Sequence, residues 1–251
     1  MQKAWLIVLF LEMIVACKSN LMVQEVRTEN ISNSENLHFA DPAVTRLVEP
    51  YKSKLTNKMN EVIAVSTDEM IKARPESKLT NYLGDLLLEE GKRYAEQQSL
   101  APLPFIAFLN YGGLRTALPK GKITVGNIYE LMPFENEMVL LKLKGEDVQR
   151  FAEKIAYQGG DCVAGIKLGI RQGKLSDLQI NGEPLETNKE YWMVTNDYVA
   201  NGGDDMEMFA NHLEYVETGI KLRDCIIGYM RKESQAGKKI APKLDSRIYI
   251  E

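Results

Sequence analysis

The chain has 251 residues, 45% of them hydrophobic and 26% charged, which suits a globular protein with one sizeable core. A net charge of −4, with no Lys/Arg cluster interleaved with aromatics, argues against a nucleic-acid partner. The two histidines, His38 in a polar stretch and His212 on what reads as a surface helix, are too few for a two-metal hydrolytic centre, whose ions each take several nitrogen and oxygen donors.

Lys3 precedes an apolar run over residues 4–11 that is too short to span a bilayer, and Ile14-Val15-Ala16-Cys17 follows it. This order resembles a bacterial lipoprotein signal, with residues 1–16 as the leader and Cys17 as the lipid-bearing first residue of the mature chain. Glu12 departs from that pattern, and an uncleaved anchor or a plain secretory signal is the alternative. Residues 17–41, rich in Glu, Asn and Ser, read as a flexible tether, and residues 42–251 as one folded domain.

Within that domain, residues 41–57 carry apolar positions at helical spacing (Val44, Leu47, Val48, Tyr51, Leu55), and Pro50 is expected to kink or interrupt the helix. Residues 60–66 alternate as a strand, and residues 79–97 form an amphipathic helix. Residues 104–109 read as a strand, and Thr124 is placed to cap a short helix through Leu131. A strand over 138–143 and a helix over 145–156 come next. Residues 165–171 and 175–180 form a hairpin, with Asn181-Gly182 as a tight turn beyond it. Residues 191–195 are a strand, 220–232 a closing helix, and 247–250 a last strand. Strands and helices interleaved with hairpins favour an α+β fold, a mixed β-sheet core with flanking helices, over a doubly wound parallel sheet. Cys162 and Cys225 lack clustered partners and read as free buried thiols, with a disulfide between them as the alternative.

Two turns carry the functional signal. Asn110-Tyr111-Gly112-Gly113-Leu114-Arg115 follows the strand at 104–109, and Ala200-Asn201-Gly202-Gly203-Asp204-Asp205 follows the strand at 191–195. Paired glycines at a strand's end permit positive φ and let a ligand approach the backbone closely. The first turn, the block from Leu131 to Phe151 that opens Leu-Met-Pro-Phe-Glu-Asn, the block from Val194 to Phe209 that holds the second turn and Tyr198, and the block from Glu76 to Asp85 resemble, in order and spacing, the C-terminal, substrate-binding domain of the 5′-nucleotidase family. The resemblance covers residues 45–251. It implies that Phe134 and Tyr198 sandwich a nucleobase, that Asn110 and Arg115 contact the nucleotide, and that Asp204 takes part in ligand binding.

Each residue also has a plainer reading. Phe134 and Tyr198 can be core aromatics beside turns, Asn110 and Arg115 can stabilise the turn, and Asp204 can cap a following helix. Stacking is carried by the ring face, so Tyr198→Phe is expected to be nearly neutral. Asn136 and Gly113 read as loop geometry, Asn81 and Asp85 as structural, and Arg74 as an additional candidate cation. Asp205 stands where the family often has glycine.

In full-length members a separate metallophosphoesterase domain carries the metals. The resemblance therefore implies no cofactor in this chain and a separate metallophosphoesterase subunit holding the divalent metals. The expected function is the nucleotide-binding half of a split 5′-nucleotidase, inactive alone, exported and lipid-anchored in the periplasm or at the outer membrane. The alternatives are a surface lipoprotein that binds nucleosides or nucleotides without chemistry, and a degenerate domain kept as an interaction protein.

Overall fold

The computed structural model describes residues 27–28 and 41–251. The leader, Cys17, His38 and most of the tether lie outside the described residues. The chain divides into compact units at residues 1–48 and 49–251. Helix α1 (Pro42–Met59) buries none of its residues and is assigned without a break at Pro50. The expected interruption there is not realised. Proline removes only its own N–H, and on an exposed helix water can take up the carbonyl left without a donor.

The remaining elements lie in unit 49–251. They are β1 (Val62–Ser66), α2 (Lys78–Gln97), β2 (Phe105–Leu109), β3 (Gly121–Thr124), α3 (Val125–Leu131), β4 (Glu137–Lys144), α4 (Gly145–Tyr157), β5 (Cys162–Ala164), β6 (Ile166–Arg171), β7 (Lys174–Ile180), β8 (Glu183–Pro184), β9 (Glu190–Asn196), α5 (Asp197–Ala200), β10 (Glu214–Lys221), α6 (Leu222–Gln235) and β11 (Ile248–Ile250). The central sheet runs β10-β4-β9-β2-β5. Only β2 and β9 are parallel within it. A second sheet runs β11-β6-β7-β8, and β1 pairs with β3. This is the α+β arrangement, with its mixed sheet and flanking helices.

Both faces of the central sheet are covered. In β2, Phe105, Ala107 and Leu109 join one core with α2, α3 and α6, whereas Ile106 and Phe108 join the other with α4 and the second sheet. Successive side chains of a strand point to opposite faces, so an all-apolar strand is what burial on both sides demands. Full burial of a ring such as Phe108 contributes about 2–3 kcal/mol. Helix α2 starts at a reciprocal cap between Ser77 and Thr80, and α3 at the cap between Thr124 and Asn127. Gly84 and Gly91 let α2 lie close to the sheet, because an added Cβ would fall 2.7 Å from the Val163 carbonyl and 2.8 Å from Val194.

Two further expectations need correction. The closing helix begins at Leu222, because residues 214–221 form the edge strand β10. That strand buries none of its residues, so its sequence shows no clean alternation. His212 follows a short 3-10 helix, Glu207–Asn211, and its ring nitrogen bonds the Phe209 carbonyl at 2.9 Å. Cys162 and Cys225 are free and buried. Burial pushes both thiols up, Cys225 to about 12.

Candidate ligand-binding cleft

The topology assembles the site. Because β2 and β9 run parallel in register (Ile106 opposite Met193), the glycine turns that follow them emerge at the same edge of the sheet. Strand β4 runs antiparallel to β9, with Met138 opposite Asn196, so the loop that leads into it arrives at that edge too. Three loops (residues 110–115, 132–136 and 196–205) thus meet around one cleft. The Asn110 amide donates to Asp204 Oδ2 at 2.7 Å, and Asn196 donates to Asn110 Oδ1 at 3.2 Å. Asn110 is buried, so this polar floor is pre-formed.

The cleft encloses about 410 Å³ and is lined by Asn110, Gly112, Gly113, Arg115, Met132, Phe134, Asn136, Asn196, Tyr198 and Asp204. All five residues expected to bind ligand line it. Phe134 and Tyr198 remain 43% and 49% exposed, so neither is a core aromatic. The Tyr198 hydroxyl donates to Asp204 Oδ1 at 2.9 Å, and this bond holds the phenol above its ordinary pKa. Tyr198→Phe therefore removes a tether that the ring-face argument left out. Asp204 does not cap the 3-10 helix that follows, whose N-cap is Met206 and which has no side-chain cap bond. Its carboxylate is shared between Asn110 and Tyr198, with lone pairs left to accept from a ligand.

The glycines serve unequal purposes. Gly203 lies against the Tyr198 ring, where a Cβ would meet Cε1 at 2.5 Å, and Gly113 seats the Asn110 amide at 2.9 Å. Of the four glycines in the two turns, only Gly202 takes positive φ. Gly112 and Gly113 sit in a 3-10 turn instead. Asn136 donates to Asp197 Oδ1 at 2.9 Å, which also accepts from the Tyr198 and Glu137 amides, so the second and third loops are tied together.

Three cations surround the first turn. Arg115 lines the cleft and donates to the Gly112 carbonyl at 3.2 Å. Lys72 donates to the Leu114 and Tyr111 carbonyls at 2.6 and 3.1 Å. Its pKa is lowered by burial and by the neighbouring charges of Arg115 and Arg74. Arg74 stacks over the Tyr111 ring at 4.6 Å and stands 3.6 Å from the buried Asp161 carboxylate. It lines a smaller polar pocket of about 260 Å³ that shares Asn110, Gly112 and Asp204 with the cleft. Burial pushes the Asp161 carboxyl up to about 6, against hydrogen bonds from the Cys162 and Tyr111 amides. Neither Lys72 nor Asp161 sits in a motif, and no sequence signal singled them out.

Asn81 and Asp85 stand apart from the cleft. Asn81 donates to Glu76 at 3.0 Å, and Asp85 pairs with Arg247 at 2.7 Å. Among the described residues, no three His, Cys, Asp or Glu side chains are grouped to hold a metal ion.

Aromatic walls, a carboxylate–amide floor and a flanking guanidinium give this α+β domain a cleft whose chemistry suits a flat ring bearing hydroxyls and an anionic group. The family described as 5′-nucleotidase, C-terminal domain, matches residues 62–211, and the chain belongs to it. Protein UshA of Yersinia enterocolitica is 30% identical over 203 residues, 77% of this chain and 35% of that protein. Protein UshA of Escherichia coli (strain K12) is 31% identical over 133 residues, 51% of this chain and 24% of that protein. The chain thus spans only about a quarter to a third of these relatives' length. Among solved structures, the 5′-nucleotidase precursor of Thermus thermophilus superposes with a TM-score of 0.69 at 24% identity, over 83% of this chain and 43% of that one. At that identity the likeness speaks for the fold.

Proposed function

We propose that the cleft binds a nucleoside 5′-phosphate, with the base between Phe134 and Tyr198, the sugar hydroxyls on Asp204 and Asn110, and the phosphate side towards Arg115. The observation that carries this reading is the pair of half-exposed rings lining one cavity whose floor is the Asn110–Asp204 hydrogen bond. Every base offers a π-face to such rings. Lys72, held by two carbonyls of the first turn, orders the loop that carries Arg115 and adds positive potential beside it.

In this reading the chain is the substrate-binding half of a 5′-nucleotidase. A separate metallophosphoesterase chain supplies the metals that activate water for hydrolysis of the phosphate ester. The residues described here bind and orient the nucleotide. The chain is exported and held at a membrane by lipid on Cys17. Mass spectrometry of the mature N-terminus tests that part, and an unmodified Cys17 removes it.

Calorimetry with adenosine, uridine and their 5′-phosphates tests the site. Binding is expected in the range of about 1 μM to 1 mM. Phe134→Ala and Tyr198→Ala should each weaken it about tenfold or more. Arg115→Ala should weaken the phosphates more than the nucleosides. Folded ring variants that bind as the parent does would dismiss the aromatic clamp.

A further inference from the structure

The wall of the cleft that bears Phe134 is a stretch of irregular chain, residues 132–136, between α3 and β4. What fixes it comes from the far end of the domain. Strand β10 pairs with β4, and Lys221 lies opposite Glu137, which delivers the first turn of α6 to the start of β4. There the Leu222 amide donates to the Asn136 carbonyl at 2.9 Å, and Lys221 donates to the Glu135 carbonyl at 3.0 Å. Arg223 donates through Nη1 to the Phe134 and Met132 carbonyls at 3.2 and 3.4 Å, and through Nη2 to the Glu135 carboxylate.

Arg223 is an unusual residue to find here. It is only 7% exposed, its guanidinium lies 4.0 Å over the Tyr129 ring, and its Nε is buried without a partner. Burying a guanidinium with an unpaired N–H is costly, and an unbranched apolar side chain would pack on Tyr129 without that cost. Packing alone therefore does not account for an arginine. It does something an apolar side chain cannot: Nη1 fixes two carbonyls on either side of Pro133, while Nη2, the other arm of the fork, holds the Glu135 carboxylate.

We infer that Arg223 is a positioning residue for ligand binding, setting the loop that presents the Phe134 ring to the base; the inference rests on the base-clamp reading given above. It does not line the cleft and acts through the backbone of residues 132–134. A stack between two rings depends on their separation, so a loosened wall loses binding even with both rings present.

The test is a double-mutant cycle on the full chain. Arg223→Met and Phe134→Ala, singly and combined, are measured for adenosine and uridine binding by calorimetry and for amide hydrogen exchange over residues 131–137. The expected result is faster exchange confined to that segment and about tenfold weaker binding in Arg223→Met. In the Phe134→Ala background Arg223→Met should cause no further loss, because the ring it positions is gone. Arg223→Lys, a point charge that lacks the planar fork, should recover part of the affinity. If Arg223→Met does not fold, the same cycle with Arg223→Lys decides. Equal losses in both backgrounds, or unchanged affinity and exchange, overturn the inference while leaving the clamp standing. A parent chain that binds neither nucleoside overturns the clamp, and this inference falls with it.

Discussion

The two glycine turns are spelled almost alike and work by different physics. In the first, Gly112 and Gly113 keep ordinary negative φ, and the turn is a tight 3-10 loop whose carbonyls are held by Lys72. In the second, Gly202, Asp204 and Asp205 all sit at positive φ, at 90°, 55° and 58°, and the turn wraps around the Tyr198 ring. The first turn uses glycine for space beside Asn110. The second uses it both for a backbone dihedral and for space beside a ring. A Gly-Gly pair after a strand thus marks where the backbone is crowded or bent, and the neighbours decide which.

The largest effect that can break this comparison is expected at Gly203. An alanine Cβ there would lie 2.5 Å from the Tyr198 ring and 2.6 Å from the Tyr198 carbonyl oxygen, so the backbone itself must move. Gly203→Ala should cost about 2–3 kcal/mol by thermal denaturation. At Gly113 the nearest atoms to an added Cβ belong to the Asn110 side-chain amide, at 2.9 Å, so Gly113→Ala should cost less, about 1–2 kcal/mol. Equal losses at the two positions would erase the distinction drawn here.

An intermediate effect belongs to the charges packed under the first turn. The Asp161 carboxyl titrates near 6 when folded and near 3.9 when unfolded, so between those values the folded chain holds the proton more tightly. Stability contributed by this group is therefore greatest at low pH and declines as pH rises from about 4 to 6. Asp161→Asn should remove that decline and stabilise the chain at pH 7 by about 1–2 kcal/mol, with little difference at pH 4. Parallel pH–stability curves for the two proteins would show that Asp161 does not titrate as described.

The smallest effect is expected at Asp205, in the second turn. Glycine would relieve a left-handed residue worth about 1 kcal/mol, but it adds unfolded-state entropy of similar size. It also removes the Lys154 pair, in which the Asp205 side chain is 85% exposed and contributes little. Asp205→Gly should lie within about 0.5 kcal/mol of the parent in a chemical denaturation titration. A loss above that would assign the carboxylate a larger part in shaping the turn.

Much of this molecule is legible in one dimension. Strand alternation, the Thr124 cap and the Asn181-Gly182 turn are set by residues within a few positions of one another, where local sterics and hydrogen bonding decide the outcome. The cleft residues Asn110, Arg115, Phe134, Tyr198 and Asp204 could be named because they sit in ordered motif blocks. Strand β10 could not be read, because an edge strand with no buried residue leaves no apolar period.

What the tertiary structure alone decided is how distant charges and amides are paired. The parallel register of β2 and β9 brings Asn110 to Asp204, and the antiparallel pairing of β4 with β10 brings Arg223 to the Phe134 loop. Lys72 and Asp161 gain their surroundings in the same way, from strands and turns far along the chain. A lysine or an aspartate in sequence is compatible with any solvated surface. Only the packed sheet removes the water and fixes which partner replaces it.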